Sequence, residues 1–158
     1  TTRGCLLALE RLKKQGRDFK RGLDMGCGSG ILAVGMVKLW PDMRVDAVDI
    51  DPESVRVTCR HAEMNGVVPF VSARVGDGYS AAVGEYDIVV ANILAGPLVE
   101  MAPFAARHLA AGGFLIVSGL LRRQGAEVIS AHERKGLTLR AVGDIGEWQA
   151  IVFEKMEG

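Results

Sequence analysis

The chain has 158 residues, and its nineteen basic and nineteen acidic residues cancel to a formal charge of zero. That length suits one domain able to bury about two thirds of its unfolded surface, and the neutral balance gives no global field toward nucleic acid or a membrane. No apolar run reaches the roughly 18 residues of a membrane span; the longest, Leu109 to Leu121, is shorter and broken by glycine.

Strand and helix signals then alternate along the chain. Thr2 to Gln15 sets Leu6, Leu9 and Leu12 on one helical face and stops at Gly16. Leu23 to Met25 ends a first strand, and Ile31 to Trp40, apolar almost all round, reads as a helix packed on a sheet and stopped by Pro41. Arg44 to Ile50 reads as a strand. Asp51-Pro52-Glu53 has the form of an N-cap with proline at the first helical position, with Val55, Cys59 and Ala62 as the inner face and Asn65-Gly66 as the stop. Phe70 to Val75 and Tyr86 to Ala91 are the third and fourth strands. Leu98, Met101, Ala102, Ala105 and Leu109 fall at helical spacing, with Gly112-Gly113 expected to close that helix. Phe114 to Ser118 is a fifth strand, and Arg122 to Lys135 a more polar helix closed by Gly136. Leu137 to Val142 and Trp148 to Glu154 are two last strands joined through Gly143 to Gly146. Alternating strands and helices predict an α/β fold, a doubly wound parallel sheet, to which the terminal hairpin adds an antiparallel strand.

Cys5, Cys27 and Cys59 form an odd, scattered set without a C-x-x-C pair, which argues for a reducing compartment and against a disulfide frame or zinc site. His61, His108 and His132 lack metal-ligand spacing and a neighbouring nucleophile, and read as structural or solvent-facing. The chain opens on threonine without a signal-like start, and reads as a fragment of a cytoplasmic protein.

The most informative stretch is Asp24-Met25-Gly26-Cys27-Gly28-Ser29-Gly30, between the first strand and a helix. Alternate glycines let the backbone turn tightly and approach a ligand, and the following helix is expected to aim its free N–H groups into the loop. The dinucleotide fingerprint fails, because Ile31 stands where its third glycine belongs; a P-loop fails for want of a Lys-Ser or Lys-Thr pair. An Asp two residues before three alternate glycines suits a cationic ligand better than a pyrophosphate. The pattern resembles motif I of class I S-adenosylmethionine (AdoMet) methyltransferases, whose ligand carries an ammonium and a sulfonium. Seven strands with the last antiparallel, Rossmann-like, is similar to the same architecture.

In such a sheet the ligand lies at the carboxyl ends of the strands. Asp49 stands nineteen residues beyond Gly30, the distance at which an acidic residue binds ribose hydroxyls, and Asp51 is left mainly to helix capping. The alternative is that both serve only caps and turns. Asp77, in Gly76-Asp77-Gly78 after the third strand, is a candidate acceptor for an adenine amino group or an ordinary turn aspartate. Asn92 ends the fourth strand. Its carbonyl can hold an amine N–H and aim the nitrogen lone pair at a methyl carbon, or the residue can simply cap the next helix. Many amine-directed methyltransferases carry N/D-P-P-Y here; Ile93-Leu94-Ala95 replaces Pro-Pro-Tyr, and without the stacking aromatic the target reads as an aliphatic amine.

Asn92 to Leu98, Asp24 to Ile31, Val48 to Pro52 and the opening Thr1-Thr2 with Cys5-Leu6 together resemble the PrmA family, methyltransferases of large-ribosomal-subunit protein eleven, and the resemblance runs through Glu147-Trp148. It implies AdoMet as cofactor, with S-adenosylhomocysteine as product. It also implies cofactor contacts from the loop residues Asp24, Gly26, Cys27, Gly28 and Gly30, from Asp49 and Ile50, and from Asp77. Thr2 would lie over the cofactor, and Asn92 beside its methyl and the target amine. Lysine ε-amino and N-terminal α-amino groups of a ribosomal protein are the implied substrates, with no direct role for nucleic acid or membrane. PrmA proteins carry an N-terminal substrate-recognition domain absent from this sequence, so residues 1–158 read as the catalytic domain alone, or as a relative with another target, as in mitochondrial methyltransferases of the electron-transfer flavoprotein β subunit. Two further readings stay open: a non-catalytic AdoMet-binding module, and a small-molecule or nucleic-acid methyltransferase. Tyr79 and Trp148 are candidates for a substrate mouth, or for plain packing.

Overall fold

The computed structural model describes residues 1–157. Seven strands form one sheet in the order β3-β2-β1-β4-β5-β7-β6, with β1 (Arg21–Met25), β2 (Arg44–Asp49), β3 (Val71–Val75) and β4 (Tyr86–Asn92) at its centre and one edge. β5 (Leu109–Leu121) runs parallel to β4, whereas β7 (Trp148–Lys155) is antiparallel to both β5 and the edge strand β6 (Leu137–Ile145). This is the doubly wound, mostly parallel α/β sheet the alternation predicted.

Both faces of the central strands are covered, which is why they read as unbroken apolar runs. Successive residues serve opposite sides. Ile88 and Val90 pack with α1 (Thr2–Lys14) and α2 (Ile31–Leu39), whereas Val89 and Ala91 pack with α4 (Ala95–Arg107) and α5 (Gly125–Glu133). α3 (Pro52–Met64) starts as expected, with the Asp51 carboxylate accepting the Glu53 N–H at 2.9 Å. The cap therefore starts α3 where the sequence placed it.

Four expectations are corrected. Cys59 is exposed, and the inner face of α3 is carried by Thr58 and Ala62. Gly112 and Gly113 do not close a helix: α4 already ends at Arg107, and β5 begins at Leu109, opposite Tyr86. Pairing then jumps to Ile88↔Phe114, so the glycines lie in an outward excursion of the strand. Leu109 continues the helical spacing by coincidence, since its burial comes from the sheet. The segment from Arg122 opens with a short 3₁₀ turn before α5, whose Val128 and His132 are buried, and the last hairpin turns more tightly than expected, with Ile145 already paired to Trp148.

Candidate active site

Strand order reverses between β1 and β4, the switch point at which an open α/β sheet leaves a crevice. The glycine loop leaves β1 at this point, and its hydrogen bonds constrain what it can bind. The N–H groups of Gly26 and Cys27 both donate to the Val48 carbonyl, at 2.8 and 2.9 Å. Gly28 donates to Asp49 Oδ2 at 2.9 Å, and Gly30 to the Cys27 carbonyl at 2.8 Å. The Ala33 N–H, in the first turn of α2, donates to Asp24 Oδ2 at 3.0 Å. The expectation of free helix N–H groups aimed into the loop is corrected to that extent. With the N–H groups of Gly26, Cys27, Gly28 and Gly30 committed to protein acceptors, the loop keeps fewer donors for a pyrophosphate.

Gly30 shows why the last glycine is required. It caps α2 at φ 82°, and an added Cβ would lie 2.7 Å from Thr58 Cγ2. Thr58 is fully buried and donates its hydroxyl to the Gly28 carbonyl at 3.1 Å, with Cys27 Sγ at 3.3 Å. The sequence reading missed this support; a shift of one residue in the inner face of α3, from Cys59 to Thr58, would have found it. The Cys27 thiol, pushed up to about 11 chiefly by burial, stays protonated at neutral pH.

Asp24 lies beneath the loop rather than open to the crevice, with 1% of its surface exposed, and its Oδ1 has no partner among the described residues. Burial pushes its carboxyl up to about 7; the Ala33 N–H pulls it down, and the Asp49 charge adds to the rise. Between the ordinary carboxylate range and pH 7 the folded chain therefore holds a proton that the unfolded chain has released. That stabilisation is complete below about pH 4 and is lost as pH rises through 7. Denaturant unfolding of Asp24→Asn and the parent at several pH values tests it. The variant is expected to gain about 3 kcal/mol on the parent from pH 5 to pH 8, and a difference that does not vary with pH would contradict the account.

A cleft of about 340 Å³ opens at the carboxyl ends of the strands and brings together Asp49, Ile50 and Asp77, with Ile93 and Leu94 opposite. Ile50 and Leu94 flank it with apolar side chains that are 66% and 69% exposed. Asp49 also serves the local turn: Oδ2 accepts the Gly28 N–H and Oδ1 the Asp51 N–H, both at 2.9 Å. Each carboxylate oxygen has a second acceptor position. The Asp77 N–H donates to Ser80 Oγ at 3.1 Å at the start of the turn Gly78–Ala81. A larger hollow, about 540 Å³, lies between α1 and the β6–β7 hairpin; its walls include Leu7, Arg11, Arg140 and Ile145 and none of the motif residues, so its size does not make it the active site.

Asn92 stands half-buried at the end of β4. It does not cap the next helix: the residue at the N-cap of α4 is Leu94, without a side-chain bond. Its Nδ2 instead donates to Thr2 Oγ1 at 3.5 Å, across ninety positions of sequence. Asn92 Oδ1 has no protein partner among the described residues and remains an open acceptor. The histidines are engaged elsewhere, His61 on the Ser29 carbonyl, His108 on that of Gly84 and His132 on that of Val128. Tyr79 is buried and stacked with His108, whereas Trp148 is 43% exposed.

The sequence model of one family, Ribosomal protein L11 methyltransferase (PrmA), matches residues 1–156. The chain belongs to this family. The L11 methyltransferase of Rhizobium etli is 40% identical over 161 aligned residues, covering 98% of this chain and 54% of that protein; the one from Geobacter sulfurreducens is 44% identical over 154 residues, covering 97% and 48%. The chain thus spans about half the length of the curated L11 methyltransferases it matches. The crystal structure of a ribosomal protein L11 methylase from Lactobacillus delbrueckii subsp. bulgaricus superposes with a TM-score of 0.90 at 27% identity, covering 99% of this chain and 79% of that one. An RNA methyltransferase from Salinibacter ruber, solved with S-adenosyl-L-homocysteine, shares the fold at a TM-score of 0.74 and 17% identity. Among the described residues no helix is long and apolar enough to cross a membrane.

Proposed function

We propose that residues 1–158 are the AdoMet-binding catalytic domain of a protein N-methyltransferase acting on lysine ε-amino or N-terminal α-amino groups of a large-subunit ribosomal protein, ribosomal protein L11. The observation that carries this reading is Asn92: an open carbonyl acceptor at the end of β4, next in sequence to Ile93 on the wall of the cleft that also holds Asp49, in a chain of the L11 methyltransferase family. The residues present fit the cofactor. The loop commits the N–H groups of Gly26, Cys27, Gly28 and Gly30 to protein acceptors, Asp49 has acceptor positions for ribose hydroxyls, Ile50 and Leu94 offer apolar flanks for a purine, and Asp77 offers an acceptor for its amino group.

When bound, the cofactor supplies an electrophilic methyl on a sulfonium. The chain then contributes position and exclusion of water. Asn92 Oδ1 accepts an N–H of the incoming amine and so orients its lone pair, while Thr2 holds the amide from behind. A lysine ammonium must first lose its proton, at a cost of about 4 kcal/mol near neutral pH, from a reference pKa near 10.4. The apolar flanks lower that cost by disfavouring the charged amine. With the three histidines bonded elsewhere, the proton leaves to solvent or through a transient carboxylate contact. A ribosomal substrate puts the protein in the cytoplasm, and the neutral surface balance requires no direct contact with nucleic acid.

Calorimetric titration with AdoMet, S-adenosylhomocysteine and NAD tests the cofactor directly. Both adenosyl sulfur ligands are expected to bind and NAD is not; binding of NAD alone overturns the reading.

A further inference from the structure

Beside Asn92 the sheet carries an irregularity. Ser118 of β5 lies opposite Asn92 in the parallel register with β4. On its other side, the antiparallel ladder with β7 jumps from Val117↔Ile151 to Leu120↔Gln149, so Ser118 and Gly119 together face Ala150. That is a β-bulge, a device that re-aims a side chain and leaves ladder groups unpaired. Gly119, at φ 92°, passes so close to the end of β4 that an added Cβ would collide with the Ile93 backbone, its carbonyl oxygen first, and the Ile93 N–H donates to the Ser118 carbonyl at 3.1 Å.

The bulge turns the Ser118 side chain, 1% exposed, toward two backbone carbonyls. Its single O–H is shared between the Gln149 carbonyl at 3.1 Å and the Thr1 carbonyl at 3.4 Å. Thr1 is the N-cap of α1 and has no side-chain cap bond of its own. The next residue is Thr2, whose Oγ1 accepts from the Asn92 amide. A single buried hydroxyl thus joins the bulge, β7 and the entry of α1, one residue from the contact that holds Asn92.

The geometry points to Ser118 as a positioning residue. It pins the first turn of α1 to the sheet so that Thr2 engages the NH2 side of Asn92, which leaves Oδ1 as the side available to an acceptor amine. The inference rests on the proposed role of Asn92. Serine suits the task because its hydroxyl is short enough to reach both carbonyls from a bulge, whereas alanine would leave the Gln149 carbonyl without this partner.

The test reads Asn92 itself. Asn65 and Asn92 are the only asparagines, so asparagine-labelled protein gives two side-chain amide signals in nitrogen-15 spectra, assigned with Asn65→Ala. Ser118→Ala and Thr2→Val are each expected to shift the Asn92 pair and speed its exchange with solvent. The Ser118→Ala/Thr2→Val double variant is expected to go no further, because both act through one contact. In methyl-transfer assays each single variant loses about tenfold in kcat, as does the double, and Ser118→Ala leaves the KM for AdoMet within about twofold. Ser118→Cys, which keeps a weak donor at similar size, moves the amide signal part of the way back. An Asn92 signal unmoved by Ser118→Ala, or effects of the two substitutions that simply add, would overturn the inference. The amide readout needs no turnover, so absence of methyl transfer by the parent chain would count against the proposed function alone.

Discussion

Asn92→Ala is expected to lower methyl transfer about a thousandfold while the affinity for AdoMet stays within about threefold, since preorganised groups that act on the reacting centre are worth 10²–10³ in rate. The reasoning is local. Nδ2 is held by Thr2, Oδ1 is open, and the residue caps no helix, so alanine removes little that the fold needs. What it removes is the acceptor that fixes an amine N–H during attack. Single-turnover rates with bound AdoMet separate the two effects. A variant that reacts as fast as the parent would dismiss Asn92 from the chemistry, and one that loses cofactor binding in parallel with rate would make it a binding residue. Asn92→Asp keeps an acceptor and is expected to retain more activity than alanine.

Asp49→Ala is expected to act on the other side of that division, weakening AdoMet binding at least a hundredfold. Hydrogen bonds to a charged acceptor contribute about 1.5–3 kcal/mol each, so losing a pair is worth two decades or more. The substitution also releases the Gly28 and Asp51 N–H groups that Asp49 holds, loosening both the glycine loop and the entry to α3. Calorimetry with AdoMet gives the affinity, and thermal unfolding without ligand gives the structural share. An Asp49→Ala chain that binds AdoMet like the parent would remove the ribose assignment.

These expectations were legible because the motifs are local. The glycine loop, the Asp51-Pro52 cap and the strand-ending Asn92 each depend on residues within a turn of one another, and the structure shows the cap as read. What the sequence hid is tertiary. Thr58 supports the loop from a helix thirty residues on, and Ser118 reaches Thr1 across 117 positions of sequence. The bulge at Ser118-Gly119 depends on the register of β5 against β7, which no local pattern encodes. Leu109 misled because helical spacing and strand burial gave it the same apolar identity. Asp24 was read as facing a ligand; the structure shows it under the loop and bonded to α2, a placement set by the depth of β1 in the sheet.

The most direct measurement is mass spectrometry of ribosomal protein L11 after incubation with this chain and AdoMet. Methyl groups on lysine or N-terminal amines, absent with Asn92→Ala, are the predicted result. Unmodified L11, from a chain that binds AdoMet and is presented with the rest of a full-length family member, would contradict the account.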